Sequence, residues 1–395
     1  MHIALLTDGI SPFVTGGMQR HSYHLAKKLL ARGVKITLVH AVDHSDEIPS
    51  EGTVKEVLNA PEGMLSVVGL HFPKGMRMPG HYLRESYQYS CAIFEALKDE
   101  WVKFDFIYAK GFSAWCLLER KKKGFHSAPV GVKFHGYEMF QKSANLKGRL
   151  EQYMLRPPVV FNNRNANVVF SYGGQITEII RKIGVAENQI IEIGSGVDDN
   201  WIVNEPKPES YVRKFIFVGR DERRKGVKEL MAVSDVFAET KTEMHWVGPV
   251  YQSKATANNF HYFHGEIRDS EELKSIIDKC QVLIAPSHSE GMPNVILEAM
   301  ARGLAVISTK VGAIPDMISD INGRLIPPAN EKLLQKAIRQ LAEMPEDELM
   351  KLRMESIKLV NQKFSWDSVA DKTLEAIRRV TYSINQLEKE NQKTS

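Results

Sequence analysis

The chain is poor in the features of secreted, metal-clipped or membrane-embedded proteins. It has three cysteines, Cys91, Cys116 and Cys280, in 395 residues. They are odd in number, far apart along the chain and form no Cys-x-x-Cys pair. A disulfide framework or a structural zinc site is therefore not expected, and a reducing compartment is. No run of about eighteen apolar residues occurs, so no helix is expected to span a bilayer. The first residues, Met1-His2-Ile3-Ala4-Leu5-Leu6-Thr7-Asp8, form a short apolar run stopped by an acid, with neither a basic leader nor a long apolar core. That is unlike a secretory signal, and the expected location is the cytoplasm. Gly-x-Gly-x-x-Gly is missing, which disfavours dinucleotide binding, and so is the Gly-Lys-Ser/Thr of a Walker loop. There is no internal sequence repeat.

Apolar residues make up 43% and charged residues 25%, the balance of a globular protein. The length suits two α/β domains better than one core. A net charge of +4 is small for this length, and no nucleic-acid partner is expected. The charge is uneven, however. Arg120 to Lys182 carries twelve Lys and Arg against Glu138, Glu151 and Glu178. Such a segment is either a solvated surface or a face for phosphates or an anionic membrane, which leaves open a peripheral place on the inner membrane face.

The order of elements reads as strand, loop, helix, strand, repeated. Ile3–Leu6 is a short run suited to a buried parallel strand, followed by a loop with Pro12, Gly16 and Gly17. His21–Ala31 has helical spacing and Val34–Val39 is the next strand, a βαβ start. Phe106–Tyr108, Val130–Phe134, Val168–Ser171 and Ile190–Ile193 continue the series, with a helix over Gly174–Ile183. Glu205–Ser210 is a polar, proline-bearing linker. A second series follows at Lys214–Val218, Glu243–Val247, Val282–Ala285 and Ala305–Ser308, with helices over Lys228–Ala238, Ser270–Cys280 and Pro293–Arg302. Two doubly wound α/β domains are expected, residues 1–205 and 206–365, with ligands held outside the carboxyl ends of the strands in a cleft. The tail beyond about Thr381 is polar and expected to fray.

Four stretches just after strands carry chemistry. The first is Ser287-His288-Ser289-Glu290-Gly291-Met292-Pro293-Asn294-Val295-Ile296-Leu297-Glu298-Ala299-Met300. Gly291 permits a turn, and Pro293 suits the first helical position, where its missing N–H costs little. The amides near Asn294 and Val295 would then offer unpaired donors and the helix dipole to a diphosphate. Glu290 in the loop and Glu298 in the helix could each hold hydroxyls of one extended ligand, because a carboxylate accepts from vicinal hydroxyls. The second is Phe217-Val218-Gly219-Arg220-Asp221-Glu222-Arg223-Arg224-Lys225-Gly226, where Arg220 and Lys225 could neutralise a diphosphate. Each such charge-assisted bond is worth ~1.5–3 kcal/mol. Taken alone it is equally a charged surface turn. The third is Thr15-Gly16-Gly17-Met18, where glycine allows close backbone approach to a ligand. The fourth is Phe134-His135-Gly136-Tyr137-Glu138, whose His135 could bond a sugar hydroxyl or carry a proton.

In this order, these pieces resemble the family-4 (group 1) retaining glycosyltransferases, and the resemblance runs over nearly the whole chain. Its mark is Glu-x7-Glu, met by Glu290 and Glu298 within Ser-Glu-Gly-Met-Pro-Asn…Leu-Glu-Ala-Met-Ala-x-Gly. Gly219-Arg220-x4-Lys225-Gly226, Gly16-Gly17, Asn322-Gly323-x-Leu325 and Phe364-Ser365-Trp366 match further family motifs. The resemblance implies a GT-B fold of two Rossmann-like domains, with a last helix, about 366–382, returning to the N-terminal domain. It implies that Glu290 contacts the donor sugar and Glu298 the ribose, that Arg220 and Lys225 bind the diphosphate, and that His135 lies by the sugar. Gly17 would lie near the diphosphate and Glu266 by the nucleobase. Catalytic roles fall to Glu290, His135, Arg220 and Lys225. The donor seat comprises Gly16, Gly17, Arg220, Lys225, Glu266, Glu290, Gly291, Met292, Pro293, Asn294, Val295 and Glu298. Ser195 and Ala313 stand where the family often has Asn and Gly.

The expected reaction is transfer from a UDP- or GDP-type sugar to a glycan or lipid-linked acceptor. No cofactor and no metal are expected, since positive protein groups stabilise the leaving diphosphate. Same-face attack is the route the resemblance favours, with a covalent intermediate on Glu290 as the alternative. Rival functions are a GT-B-like nucleotide-sugar epimerase and a non-catalytic transferase-like binding subunit. Phe72–His81 and Met139–Arg156 are expected to shape the acceptor side.

Overall fold

The computed structural model of the chain describes residues 1–75, 80–141, 146–207, 212–251 and 259–393. Parts of the expected linker and of both expected acceptor loops lie outside these residues, as do the side chains of residues 146–150. Two compact units emerge. The first is Met1–Tyr172, Ile176–Gly194 and Trp366–Ser395, and the second is Gly173–Gln175 and Ser195–Ser365.

The first unit runs β1 (His2–Leu6), α1 (Gly17–Leu30), β2 (Lys35–Val42), α2 (Glu51–Leu58), β3 (Leu65–His71), α3 (His81–Ala96) and β4 (Phe106–Lys110). It continues with α4 (Trp115–Lys122), β5 (Val130–Lys133), α5 (Leu146–Asn165), β6 (Val168–Ser171), α6 (Gly174–Lys182) and β7 (Ile190–Glu192). The strands form one parallel sheet in the order β3-β2-β1-β4-β5-β6-β7. Ile3, Ala4, Leu5 and Leu6 are all buried, because in a parallel sheet covered by helices both strand faces are core.

The second unit runs β8 (Lys214–Val218), α7 (Val227–Ala232), α8 (Asp235–Glu239), β9 (Glu243–Val247), β10 (His261–Gly265), α9 (Ser270–Ile277) and β11 (Val282–Ala285). Then come α10 (Asn294–Ala301), β12 (Ala305–Thr309), α11 (Ile314–Met317), β13 (Gly323–Ile326), α12 (Glu331–Ala342) and α13 (Glu346–Leu359). Its sheet is also parallel, in the order β10-β9-β8-β11-β12-β13.

The chain then returns to the first unit as α14 (Trp366–Lys393). Trp366 is 2% exposed, stacks on His24 at 5.1 Å and meets His21 edge-on at 4.9 Å. Lys28–Asp367 (2.7 Å) and Arg32–Asp371 (2.6 Å) clamp α14 to α1.

The sequence reading differs from the structure in several places. It missed β3, α2 and α3. β3 is an edge strand with half-buried residues interrupted by Gly69, so it lacks a continuous apolar run. The helix expected over Lys228–Ala238 is two helices, broken at Val233 and restarted at Ser234. Pro293 is the N-cap of α10, one position before the first helical residue. The tail beyond about Thr381, expected to be irregular, is helical, with α14 running to Lys393. Residues 195–205 fall with the second unit. There Ser195 donates its N–H to Met292 Sδ (3.0 Å), Val197 bridges Ser365, and the Trp201 carbonyl accepts from Arg302 (3.4 Å).

Candidate functional site

Each sheet has a switch point, where the strand order reverses and the chain leaves in opposite directions. Ligand crevices of open parallel sheets form there, outside the carboxyl ends of the strands. In the second unit it lies between β8 and β11. The loop after β8 is Gly219–Gly226, and the loop after β11 is Pro286–Pro293, so two of the four chemically loaded stretches meet by topology alone.

They meet in contact. Glu290 is 6% exposed, and its Oε1 accepts from Lys225 Nζ (2.7 Å) and from Ser287 Oγ (2.8 Å). Arg224 Nη1 is 3.6 Å from Glu290 Oε2, and Arg224 Nε is 2.7 Å from Glu222. His288 donates its N–H to the Arg224 carbonyl (2.7 Å), which ties the loops through the backbone. Below them Glu229 receives Arg223 (2.7 Å) and His288 (3.1 Å). Burial works to raise the Glu229 pKa, but those two partners hold it below the usual carboxylate range. Gly226 has φ 73°, and any Cβ there would strike the Pro286 carbonyl, so glycine lets the cationic loop approach. Gly312 plays the same part at φ 55°, against the carbonyls of Glu290 and Gly291. Ala313 beside it has φ −91° and donates to the Gly291 carbonyl (2.8 Å), so alanine sits there unstrained.

α10 starts beside this cluster. No side chain caps its first turn, so its dipole and leading amides suit an anion. Glu298 lies on the same helix and is partly buried. Arg220 is 70% exposed and pairs with Glu222 at 2.9 Å. Glu266 follows β10, the far edge strand, and pairs with Arg268 at 3.5 Å. Lys225, Glu290 and the Gly291–Val295 helix start are thus brought together. Arg220 stands at the rim, and Glu266 lies two strands away from β8.

The first unit has its switch point between β1 and β4. Gly16 and Gly17 open α1, and Gln19 in its first turn donates to Asp8 (3.3 Å). The last residues of β4 and β5, Lys110 and Lys133, are register partners, and both are buried. Lys110 Nζ lies 2.6 Å from His21 Nδ1, and His21 is 2% exposed. Lys133 donates to the Ile193 carbonyl (2.6 Å) and sits 4.1 Å from the centre of the Tyr172 ring. Tyr172 Oη in turn lies 2.8 Å from His135 Nδ1. His135, the fourth candidate, is therefore one member of a buried basic cluster. Burial, aided by mutual repulsion with Lys110 and Lys133, drives His21 and His135 well below 6.5. Burial lowers Lys133 to about 7 and raises Asp8 to about 6.

Sequence reasoning missed Ser287, Arg224 and His288 as supports of Glu290 and its loop. It also missed the set Asp8, His21, Lys110, Lys133 and Tyr172. For the lysines a signal existed: each ends an otherwise apolar strand, where a charge is costly.

The comparisons agree with this topology. A family model described as "Glycosyl transferases group 1" matches residues 212–344, and one described as "Glycosyltransferase Family 4" matches residues 15–201. The chain is 28% identical over 219 residues to the alpha-maltose-1-phosphate synthase of Mycolicibacterium smegmatis, covering 48% of this chain and 56% of that protein. It is 22% identical to the glycogen synthase of Mycobacterium tuberculosis, over 94% of this chain and 93% of the relative. Among solved structures, sucrose-phosphate synthase from Thermosynechococcus elongatus superposes with a TM-score of 0.73 at 19% identity, covering 97% of this chain and 99% of that one. Anabaena HepE in complex with UDP superposes with a TM-score of 0.67 at 17% identity, covering 96% of this chain and 100% of that one.

Proposed function

Because the chain belongs to the group 1, family-4 glycosyltransferases, with their GT-B fold, we propose that it moves a hexose, with retention, from a UDP- or GDP-type sugar to a glycan or lipid-linked acceptor. The observation that carries the donor half is the Lys225–Glu290 bond at 2.7 Å beside the start of α10. Lys225, Arg220 and the helix-start amides from Gly291 through Val295 stabilise the charge that grows on the leaving diphosphate, so the protein itself supplies the positive field. Glu290 accepts hydroxyls of the donor sugar and keeps Lys225 aimed. Glu298 takes the ribose and Glu266 the base side. Same-face attack is the favoured route, with the acceptor proton leaving on the diphosphate oxygen.

A thermal-shift panel of UDP- and GDP-sugars tests the donor half, because a ligand that binds the native state raises its apparent stability by mass action. No shift with any nucleotide sugar, together with no transfer, refutes the reading.

Among the described residues no helix is long and apolar enough to cross a membrane. The basic segment keeps Arg120, Lys122 and Lys123 exposed at the end of α4, and Tyr153 is 67% exposed with Arg156 over its ring at 4.8 Å. We place this face against the anionic surface that presents a lipid-linked acceptor, on the cytoplasmic side. Sedimentation with vesicles rich in phosphatidylglycerol should carry the protein down at low salt and release it at high salt. Recovery in the supernatant at low salt ends this part of the reading.

A further inference from the structure

Lys225 and Glu290, the pair at the centre of the donor reading, each stand two residues after a side chain that reaches one buried acid. Arg223 precedes Lys225, His288 precedes Glu290, and both converge on Glu229. Glu229 lies on α7, is 6% exposed and belongs to none of the stretches read as donor-binding. We propose that Glu229 is a positioning residue of the donor seat: it locks the two loops in the register that makes Lys225 and Glu290 meet. The proposal rests on the glycosyltransferase reading above and adds to it a residue that acts on the donor only through others.

Three observations converge. The first is geometry. Arg223 Nη1 donates to Glu229 Oε2 (2.9 Å) and Arg223 Nη2 lies 2.7 Å from Oε1, a two-pronged grip. His288 Nε2 lies 3.1 Å from Glu229 Oε1 and 2.7 Å from Arg223 Nη1, so the three side chains close a triangle. Both carboxylate oxygens are thus engaged by the loops. The second is what holds Lys225. It ends a single 3-10 turn, Arg223–Lys225, with no side-chain cap at its start. The bond from the Gly226 N–H to the Arg223 carbonyl is long, at 3.4 Å. Turns of this kind have poor hydrogen-bond geometry and lean on outside contacts. Glu229 supplies one at Arg223. The third is the division of charge. Glu222 pairs with Arg220 and Arg224, Glu290 with Arg224 and Lys225, and Glu229 with Arg223. Arg223 is thereby committed to the tie between the loops, and Lys225 is left to face the diphosphate. A buried ion pair adds little stability over an apolar contact of equal volume, so the fold alone gives small reason for a charge at Glu229. Loop register gives a better one.

The test uses the full chain, with UDP and GDP as probes titrated by saturation-transfer NMR, which follows weak binding. Glu229→Gln keeps the size of the side chain and removes the charge that grips Arg223. The Arg223 side chain is 49% exposed, so it can turn to water and the variant should fold. Circular dichroism and Tm check each sample. His288→Gln, which loosens the same tie from the second loop, takes its place should Glu229→Gln not fold. The variant should bind nucleoside diphosphate at least about fivefold more weakly, the size of one weakened charge-assisted bond. In a Lys225→Met background the same change should weaken binding less than about twofold, because a residue that acts through Lys225 has nothing left to position. A general loosening of the fold would weaken binding equally with and without Lys225, and that result overturns the proposal. Wild-type affinity in the folded variant overturns it as well. Tighter binding also overturns it, since Glu229 would then be withholding Arg223 from the diphosphate. Absence of UDP and GDP binding in the wild type speaks instead against the glycosyltransferase reading, so the two failures are distinct.

Discussion

Replacing Glu290 by Gln separates a carboxylate that serves the reaction from one that only ties two loops together. Gln keeps the size and can still accept from Ser287, which is 2.8 Å away. It loses the charge facing Lys225 at 2.7 Å and Arg224 at 3.6 Å. If Glu290 holds donor-sugar hydroxyls as the glycosidic bond breaks, one charge-assisted bond is weakened, worth ~1.5–3 kcal/mol. At 1.36 kcal/mol per tenfold, kcat/KM should fall about 10- to 150-fold. Nucleoside diphosphate affinity should move the other way. Lys225 no longer shares its charge with a carboxylate, and relief of that competition is worth on the order of 1 kcal/mol, about fivefold tighter binding. The ion pair is largely shielded, its side chains 18% and 8% exposed, so a modest fall in Tm accompanies the change. Calorimetric titration with UDP and GDP, beside initial rates of transfer, reads both signs. Unchanged kcat/KM with unchanged nucleoside diphosphate affinity would refute the catalytic reasoning and leave Glu290 as a loop tie.

The remaining expectations follow from the same geometry. Glu298→Ala should weaken nucleotide-sugar binding, whereas Arg220→Ala, at the exposed rim, should mainly slow transfer; steady-state KM and kcat with a UDP- or GDP-sugar separate the two, and wild-type values in both would count against the donor site. Lys133 is held at about 7 in the folded chain, far below the 10.5 of the free side chain, so the unfolded chain binds more protons between those values and stability should rise with pH across that window. Lys133→Met should raise Tm at pH 7 and flatten that rise in melts from pH 7 to 10, and an unaltered slope refutes the assignment. Trp366→Ala should cost about 3–5 kcal/mol, the range for truncating a buried aromatic, measured by urea unfolding; a loss under 1 kcal/mol would mean that α14 is not needed to complete the first unit.

The fold was legible because parallel strands covered on both faces are written as plain apolar runs, as in Val282–Ala285, whose residues are all buried. β3 was not, since an edge strand with a serine and a glycine within it has no such run. In the site, Glu290, Lys225 and the start of α10 were readable because a turn glycine, a helix-opening proline and charged residues stand together in sequence. The support from Ser287 and Arg224 was not, because it depends on which two loops the strand order β8-β11 brings together. Lys110, Lys133 and His21 hid for a related reason: each is single in the sequence, and they become a group only when the register of β4 with β5 pairs the lysines and α1 brings His21 to Lys110.

Asp8, which acts electrostatically on Lys110 of that group, carries a separate argument about stability. Asp8 is raised from 3.8 to about 6, chiefly by burial, so ionising it costs the folded chain free energy. The unfolded chain binds fewer protons between those values, and stability should fall as pH rises from about 4 to 6, then stay at the lower level. A residue that only built the fold would gain by being Asn. Asp8→Asn should therefore raise Tm at pH 7.5 and leave it unchanged at pH 3.5, read in thermal melts at the two values. A Tm that drops at pH 7.5 would mean that the bond of the Asp8 carboxylate with Gln19 and its attraction to Lys110 outweigh the cost of its burial.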